Sequence, residues 1–326
     1  MKKNLSMPNQ VKEKVYILLS ADNHYARYCA VTILSILENT SSPEKFEFHI
    51  LSPDISQENI QRIEKICTHF DATVSVIPIN LELFSSLPAF QKHFNLNNYS
   101  RIYGLNQCKN CEKVIYLDCD IVVLADLSEL FDFELEGKPI GAVPHVQLPY
   151  QYIFRKNFNF ANEDIYFNSG VMLIDATDWR LKKSGDVVLE FCIENSSKLH
   201  FADQDALNVI FWENYCHLPG VWNVEARLYK EKLLGLPQHE EITNRMQNPK
   251  IIHYTGADKP WSSQNYVPMR HLYTYYSEQL CERFSWFPSQ MEPKKCSILS
   301  LVKFAWSCLY FRTSRIKKLI KLNLKK

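Results

Sequence analysis

Residues 113–124 constrain the fold most, because this run is apolar except at its first residue and at three positions near its middle. It reads Lys-Val-Ile-Tyr-Leu-Asp-Cys-Asp-Ile-Val-Val-Leu, without glycine or proline. Such a β-branched and aromatic run predicts a buried strand, parallel to its neighbours and covered on both faces. Side chains two apart in extended chain point the same way. We therefore expect Asp118 and Asp120 to converge at the strand's end and Cys119 to face away.

Two converging carboxylates repel each other unless a cation lies between them. Oxygen ligands of this kind suit Mg²⁺ or Mn²⁺, and a divalent ion that bridges to a diphosphate is a common reason for the arrangement. The alternative interpretation is a strand end that runs into a polar turn. Asp-x-Asp alone does not decide between the two.

Composition excludes several other classes of protein. A chain of 326 residues with 46% hydrophobic residues can bury one large core or two domains. None of its eight glycines forms a Gly-x-Gly pair, so there is neither a dinucleotide fingerprint nor a phosphate-binding Gly-Lys-Ser/Thr loop. Ten scattered cysteines indicate a reducing compartment. Cys108 and Cys111 form a single Cys-x-x-Cys, and no second pair at zinc spacing follows, which disfavours a metal or redox role.

Charge is distributed unevenly along the chain. Residues 294–326 contain ten Lys or Arg and no acid, whereas residues 1–293 contain 27 basic and 36 acidic side chains. The basic tail is also rich in aliphatic and aromatic residues, which favours a segment that lies on an anionic membrane over a nucleic-acid-binding arm. The first 14 residues lack the apolar core of a secretory signal, so we expect a cytoplasmic protein.

Strands and helices alternate in the first part of the chain, as in α/β proteins. Asp22 and Asn23 follow the first strand, where open α/β sheets place ligands, although either side chain could simply cap the next helix. The pattern predicts strands at 15–21, 46–51 and 73–77, helices at 25–39 and 56–70, and a helix beginning within 97–103. Arg101 lies in that last helix, where it could be only a solvated side chain.

The second half contains three further segments of interest. Residues 147–164 show no clear period and are expected to form a substrate loop. Strands are predicted at 140–143 and 166–175, and helices at 186–195 and 201–211, the last with Gln204 between two acids. A strand then delivers His253 to its end, followed by Gly256 and Lys259. An imidazole beside paired carboxylates favours Mn²⁺ over Mg²⁺, whereas alone it is more often a hydrogen-bonded strand residue.

Five spaced motifs together resemble the glycosyltransferase family 8 enzymes, and within them the bacterial transferases that extend lipooligosaccharide. They are Ser-Ala-Asp-Asn-His-Tyr at 20–25, Tyr-Leu-Asp-Cys-Asp at 116–120, Phe-Asn-Ser-Gly at 167–170, Asp-Gln-Asp at 203–205 and His-Tyr-Thr-Gly-Ala-Asp-Lys-Pro-Trp at 253–261.

The resemblance implies a GT-A nucleotide-sugar-binding α/β fold, a mixed sheet flanked by helices, with a small helical C-terminal extension. It divides the chain into an extension at 1–14, a catalytic domain at 15–266 and a membrane-associating region at 267–326. It also implies a UDP-hexose donor, Mn²⁺ with Mg²⁺ as the alternative, and retention at the anomeric carbon. The acceptor would be a lipid-linked oligosaccharide, and galactose the favoured hexose.

Carried over residue by residue, the resemblance assigns three groups of side chains. Metal ligands are Asp118, Asp120 and His253. Catalytic residues are Gln204, Asp203 and Lys259. The nucleotide-sugar site comprises Ala21, Asp22, Tyr25, Arg101, Asp118, Cys119, Asp120, Asn168, Ser169, Asp203, Gln204, His253, Gly256 and Lys259. Tyr25 would stack on uracil, and Gly256 and Lys259 would bind the diphosphate.

Two positions depart from the family pattern. His24 replaces an Asn that contacts the nucleotide, and His145 stands where relatives place an Asp that binds donor-sugar hydroxyls, which leaves the hexose open between galactose and glucose. Same-face attack is favoured, with Asp203 as the alternative nucleophile. Two rival functions are an Asp-x-Asp phosphohydrolase, disfavoured because the motif lies late in the chain, and a non-catalytic sugar- or lipid-binding protein.

Overall fold

A mixed α/β arrangement surrounds one large sheet and one small sheet. The computed structural model describes residues 14–84, 99–107, 111–145, 150–160, 166–233, 240–261 and 266–288. The strands are β1 Val15–Ser20, β2 Phe46–Ser52, β3 Thr73–Pro78, β4 Lys113–Leu117, β5 Ile121–Val123, β6 Ile140–Pro144, β7 Phe167–Asp175, β8 Cys216–His217, β9 Val224–Glu225 and β10 Ile251–His253.

The large sheet has seven strands in the order β3-β2-β1-β4-β7-β6-β8. Strands β1 to β4 pair in parallel, and β7 runs antiparallel to both β4 and β6. The small sheet has the order β5-β10-β9. The mixed sheet agrees with the predicted fold class, whereas β4 is parallel to only one of its two neighbours.

The predicted single strand over residues 113–124 was wrong in one respect. Strand β4 ends at Leu117 in the large sheet, and β5 begins at Ile121 in the small one. The carboxylates therefore lie at the joint between two sheets. The apolar run continues across the joint because both strands are buried, apart from Lys113 at the start of β4. Burial alone cannot show that the chain changes sheets.

Eleven helices cover the sheets in the described part of the chain. They are α1 Ala26–Glu38, α2 Gln57–His69, α3 Ser100–Gln107, α4 Ser128–Phe131, α5 Tyr150–Phe158, α6 Ala176–Leu181, α7 Ser184–Glu194, α8 Ala202–Ile210, α9 Ala226–Leu233, α10 Glu240–Gln247 and α11 Arg270–Phe284. Short 3-10 turns occur at Pro43–Lys45, Leu81–Phe84 and Gly220–Trp222. Ser56 caps α2, because its hydroxyl accepts the Asn59 N–H.

The two faces of the large sheet bury separate cores. Alternate residues of β1 point to opposite sides, with Ile17 and Leu19 in one core and Leu18 in the other. The first core includes residues of α1, α2, α11 and the small sheet. The second includes residues of α3, α6, α7 and α8. Such two-sided coverage explains why the central strands are apolar throughout.

The prediction of an unstructured loop at 147–164 was wrong in its central part, where α5 forms. Phe154 of α5 is fully buried, with its ring centroid 4.8 Å from that of Tyr166. Phe158, one turn later, packs on the same cluster. Few residues around this pair are aliphatic, so the helical period is weak in the sequence. Residues 146–149 and 161–165 lie outside the described residues.

The C-terminal helix α11 packs on α1. Arg27 of α1 is buried and donates hydrogen bonds to the carbonyl oxygens of Ser277 and Trp286. Residues 289–326, which contain the basic tail, lie outside the described residues, as do residues 1–13, 97–98 and Cys108. Among the helices that are described, none combines the length and the apolar character that a membrane span requires.

Candidate active site

The joint between the two sheets delivers three candidate metal ligands. Asp118 follows β4, Asp120 precedes β5, and His253 ends β10, which pairs antiparallel with β5. Their ligand atoms lie within 4.8 Å of one another. The predicted convergence of the two carboxylates is confirmed. Cys119 faces away as expected, because its thiol donates to the Ser20 carbonyl oxygen over 3.2 Å.

Gly170 of β7 makes room for this convergence. A Cβ at this position would lie 2.3 Å from His253 Cε1 and 2.6 Å from Asp118 Oδ2. Its carbonyl oxygen accepts the Asp118 N–H over 2.9 Å, so the backbone of β7 also fixes the start of the joint. Glycine is therefore required at position 170 because the packing leaves no space for a Cβ.

Two cations balance the carboxylates. Lys259 forms an ion pair with Asp120, and Arg101 lies 3.1 Å from Asp118 Oδ1. Burial alone would raise the pKa of Asp120, but Lys259 and His253 outweigh it and hold that pKa below its usual range. We call Asp118, Asp120, His253, Lys259 and Arg101 the aspartate cluster.

Arg101 is a buried member of the aspartate cluster and not a solvated helix residue. It also lies 2.9 Å from Asp203, and its guanidinium donates to the Ser169 carbonyl oxygen over 3.1 Å. Burial lowers the affinity of the guanidinium for its proton, but Asp118 and Asp203 more than compensate and raise its pKa. Arg101 thereby connects α3, the joint and α8.

Asp203 has an unusual environment for an acid in the first turn of a helix. It is almost completely buried, and its Oδ2 lacks a well-aligned hydrogen bond although Arg101 Nε lies 2.9 Å away. Burial raises the pKa of Asp203 to about 6, against the lowering effect of Arg101. Asp203 therefore interacts with a buried cation in addition to the dipole of α8.

Gln204 is held at both ends of its amide. Its Oε1 accepts from Asn168 Nδ2 over 3.1 Å and from the Ser169 N–H over 3.0 Å. Its Nε2 donates to the Tyr166 hydroxyl over 2.9 Å. The structure thus brings together Asn168, Ser169 and Gln204, as predicted, in one hydrogen-bonded group next to the aspartate cluster.

The predicted nucleotide-binding residues lie along the edge formed by β1 and α1. Asp22 Oδ1 accepts the Tyr25 N–H over 2.8 Å in the turn before α1, whose N-cap residue is Tyr25 and which has no side-chain cap bond. Tyr25 contacts Trp261 edge-on, with ring centroids 5.9 Å apart. Ala21 is buried and donates its N–H to Leu51. Gly256 adopts φ +84° with open space where a Cβ would be, which is a backbone conformation that favours glycine.

A second buried ionic group lies beside the first. Glu225 of β9 pairs in register with His253, and its carboxylate contacts His145, Arg227 and Thr255 at 2.8 to 3.1 Å. Burial raises the pKa of Glu225, but His145 and Arg227 outweigh it and hold that pKa well below its usual range. We call Glu225, His145, Arg227 and Thr255 the glutamate cluster.

Four residues that contact the predicted site residues or their neighbours were not predicted from the sequence. They are Tyr116, Tyr166, Asn223 and Glu225. The Tyr116 and Tyr166 hydroxyls donate to Asp118 and Asp205, respectively. Both lie in or next to strands already predicted, so alternation could have assigned them to the polar edge. Asn223 precedes the two-residue strand β9 and Glu225 ends it, and a strand of this length is too short for any periodic signal.

The comparison with known families decides what kind of protein contains this site. The sequence model described as glycosyl transferase family 8 matches residues 16–265, which include every residue of the site described above. The chain belongs to this family. As a family 8 member it is a hexosyltransferase, and the resemblance drawn from five motifs is confirmed.

Relatives of this family 8 chain include a bacterial stress protein and a lipopolysaccharide glycosyltransferase. General stress protein A of Bacillus subtilis is 29% identical over 273 residues, covering 81% of this chain and 93% of the relative. A lipopolysaccharide 1,2-glucosyltransferase of Escherichia coli is 28% identical over 275 residues, covering 82% and 79%. The crystal structure of the galactosyltransferase LgtC with donor and acceptor sugar analogues superposes with a TM-score of 0.72 at 24% identity, covering 84% and 98%. These matches confirm the GT-A fold.

The residues of the joint fit a divalent cation. Two carboxylates and one imidazole offer three ligand atoms of the kind that Mn²⁺ and Mg²⁺ accept. Any residue other than glycine at position 170 would place its Cβ in the space beside these ligands. Asp118, Asp120 and His253 are therefore the residues that would hold such an ion.

Proposed function

We propose that this family 8 enzyme transfers a hexose from a UDP-sugar to a hydroxyl group of a lipid-linked oligosaccharide of the lipooligosaccharide or lipopolysaccharide type. One observation supports the proposal above all. Asp118, Asp120 and His253, which lie up to 135 residues apart in sequence, converge beside two cations at the C-terminal edge of a nucleotide-sugar fold. Open α/β sheets bind ligands at this edge.

The divalent ion, Mn²⁺ with Mg²⁺ as the alternative, would neutralise the negative charge of the departing diphosphate. The chain's own cations add to this effect. Lys259 pairs with Asp120 and lies on the loop after β10, so its ammonium group is placed to exchange a carboxylate for a phosphate oxygen. At an effective dielectric of about 20, a unit-charge pair at about 4 Å is worth roughly 4 kcal/mol before desolvation. Gly256 supplies a backbone that a phosphate can approach closely.

We propose attack from the same face of the sugar as the leaving group. The bond from the anomeric carbon to the β-phosphate oxygen breaks, the bond to the acceptor oxygen forms, and the acceptor proton passes to the β-phosphate. Asp203 is the alternative nucleophile. Its burial and its ion pair with Arg101 favour a positioning role, because a nucleophile must reach the anomeric carbon. Gln204 and Asn168 would then face the donor sugar, and Tyr25 the uracil.

The decisive experiment is a donor screen with purified protein. UDP-galactose, UDP-glucose and their N-acetyl forms are incubated with Mn²⁺ and then with EDTA, and release of UDP is measured. We expect turnover of one hexose donor that EDTA abolishes. Absence of turnover with every donor would favour a non-catalytic sugar- or lipid-binding protein. The relative named as a glucosyltransferase supports UDP-glucose as the alternative to UDP-galactose.

Gln204→Ala and Asp203→Asn separate the two mechanisms. Same-face attack with Gln204 beside the sugar predicts a large loss of turnover in Gln204→Ala. Nearly full turnover in Gln204→Ala, together with an inactive Asp203→Asn, would instead favour Asp203 as the nucleophile. In that case, mass spectrometry of the intact protein after incubation with donor should detect a covalently bound sugar on the protein that keeps Asp203 and none on Asp203→Asn.

We also propose that the region 267–326 attaches the enzyme to the inner face of the cytoplasmic membrane, with residues 15–266 as the catalytic domain and residues 1–14 as an extension. The ten basic and no acidic residues of 294–326 support this assignment. Deletion of residues 297–326 is expected to abolish sedimentation with anionic vesicles and to leave UDP-sugar hydrolysis intact. The complete chain with neutral vesicles is the control. Sedimentation of the shortened chain would refute the assignment.

A further inference from the structure

We propose that Asn223 is a positioning residue that fixes the ring orientation and tautomer of His253, so that Nε2 faces the metal site without a proton. The inference rests on the proposed function, because it concerns a ligand of the proposed metal ion. It follows from a chain of three side-chain amides, Gln204, Asn168 and Asn223, whose orientations are decided by backbone groups.

The first amide is oriented from both of its ends. The Ser169 N–H can only donate, so the Gln204 atom 3.0 Å from it must be the carbonyl oxygen Oε1. At the other end, the Tyr166 hydroxyl donates its single proton to Asp205 Oδ1 over 2.6 Å. It therefore accepts from Gln204 Nε2. Both contacts give the same orientation.

The second amide is oriented by the glycine that faces the metal site. The Gly170 N–H donates over 3.0 Å to one terminal atom of Asn168, which must be Oδ1. The other terminal atom, Nδ2, then points to Gln204 Oε1 at 3.1 Å, as the orientation of Gln204 requires. Asn168 Oδ1 is thus an acceptor, and any neighbour within hydrogen-bonding distance of it must donate.

The third amide transmits this orientation to His253. Asn223 places one terminal atom 2.9 Å from Asn168 Oδ1, which must be the donor Nδ2. Its Oδ1 therefore faces His253 Nδ1 at 2.9 Å, and Nδ1 must carry the proton. In the neutral imidazole, the lone pair then lies on Nε2, the ring atom that faces the metal site and lies 3.1 Å from Asp120 Oδ1.

Burial gives this small chain its effect. Asn223 and His253 are 4% and 2% exposed, so water cannot replace the amide as acceptor for Nδ1. Removing the amide would leave Nδ1–H without its partner and the ring free to rotate or change tautomer. Partners of this kind typically change metal affinity by about 10- to 100-fold. The Asp-Gln-Asp and Asn-Ser-Gly motifs therefore also help to orient the imidazole of His253.

Mn²⁺ binding measured by electron paramagnetic resonance, with and without UDP, tests the proposal without sugar transfer. We expect Asn223→Ala to weaken Mn²⁺ binding about 10- to 100-fold and to reduce the coupling of the ion to imidazole nitrogen. Asn223→Asp keeps an acceptor for Nδ1–H and is expected to bind Mn²⁺ within a few-fold of the unsubstituted protein. Asn208→Ala is the matched control, since Asn208 is equally buried and its amide bonds only backbone atoms.

Equal losses in Asn223→Ala and Asn208→Ala would show a merely structural role and overturn the proposal. A second measurement needs no substitution. Long-range ¹H–¹⁵N correlation of the imidazole in the Cd²⁺-loaded protein should show the proton on Nδ1, and a proton on Nε2 would overturn the proposal. Failure of the unsubstituted protein to bind Mn²⁺ would refute the metal site and the proposed function together. Normal Mn²⁺ binding by a folded Asn223→Ala would refute this inference alone.

Discussion

The aspartate cluster and the glutamate cluster contain the same three kinds of group, a buried carboxylate, an imidazole and a long-chain cation, yet they differ in how the charge is completed. Every oxygen of Glu225 has partners within the protein, from His145, Arg227 and Thr255. The aspartate cluster has two carboxylates around one imidazole, with room maintained by Gly170. The Asp118 side chain is 24% exposed, against 7% for Glu225.

The difference shows what separates a ligand site from a structural ion cluster. Glu225 is matched by donors that the fold supplies, so an added cation would find no free oxygen. Asp118 and Asp120 lie within reach of solvent, and a divalent ion would relieve their mutual repulsion. We therefore expect substitutions in the first cluster to affect catalysis and substitutions in the second to affect folding.

The largest effect is expected from Asp120→Asn. The substitution removes a metal ligand and the partner of Lys259, and should lower turnover of the UDP-sugar by about 10³-fold or more, which corresponds to about 4 kcal/mol of transition-state stabilisation. UDP release under saturating donor and Mn²⁺ measures it. The exposed Asp132→Asn is the control. Comparable losses in both variants would contradict the assignment of the first cluster.

Glu225→Ala should mainly reduce stability. It leaves His145 and the Arg227 side chain without their buried acceptor, which is expected to lower the free energy of unfolding by about 3 kcal/mol or more. Urea denaturation followed by circular dichroism measures the change. Glu231→Ala removes a partly exposed partner of Arg227 and should cost about 0.5 kcal/mol or less. Unchanged stability in Glu225→Ala would remove the contrast between the clusters.

Asp203 sharpens the comparison through pH, because burial raises its pKa from 3.8 to about 6. The folded chain keeps this proton at pH values where the unfolded chain has released it. The contribution of the Asp203 carboxyl group to the free energy of unfolding therefore falls as pH rises from about 4 through about 6, by at most about 3 kcal/mol. We expect Asp203→Asn to flatten the pH dependence of the free energy of unfolding over this window. Asp132→Asn should keep the slope, and an identical slope in Asp203→Asn would contradict the prediction.

Gly170→Ala should produce the smallest change. The added methyl group would meet His253 and Asp118, so we expect a loss of about 1 to 2 kcal/mol in stability and a weaker affinity for Mn²⁺. Gly137→Ala is the control, because Gly137 has φ +74° and open space around it. It should cost about 1 kcal/mol through backbone strain and leave Mn²⁺ binding unchanged. Equal Mn²⁺ affinity in both variants would show that the space beside Gly170 is not needed.

The two clusters also differ in how far the sequence could predict them. Asp118 follows an apolar strand, Asp120 precedes one and His253 ends one. The side-chain period of two indicates that the aspartates share a side. Glu225 also follows an apolar residue, Val224, but the strand that contains both has only two residues. This strand pairs with β10, which lies about 28 residues later in the chain. A pairing between short, distant segments leaves no local pattern. Its partner His145, at the end of β6, was noticed only as a departure from the family.

The same reasoning explains the errors in the fold. The run over 113–124 was correctly predicted to be buried, but a change of sheet leaves hydrophobicity unaltered. Helix α5 was missed because its buried face is aromatic and narrow, with Phe154 and Phe158 one turn apart. Regular, longer elements such as β1, α1 and α2 were predicted to within one or two residues at each end.

Because the chain changes sheets between β4 and β5, a bound cation would also stabilise the contact between the two sheets. Asp118 follows a strand of the large sheet, whereas Asp120 and His253 belong to the small one. An ion bound by all three residues would therefore link the two sheets at their joint. Loading with Mn²⁺ should then slow amide hydrogen exchange in β5 and β10 more than in β2 or β3.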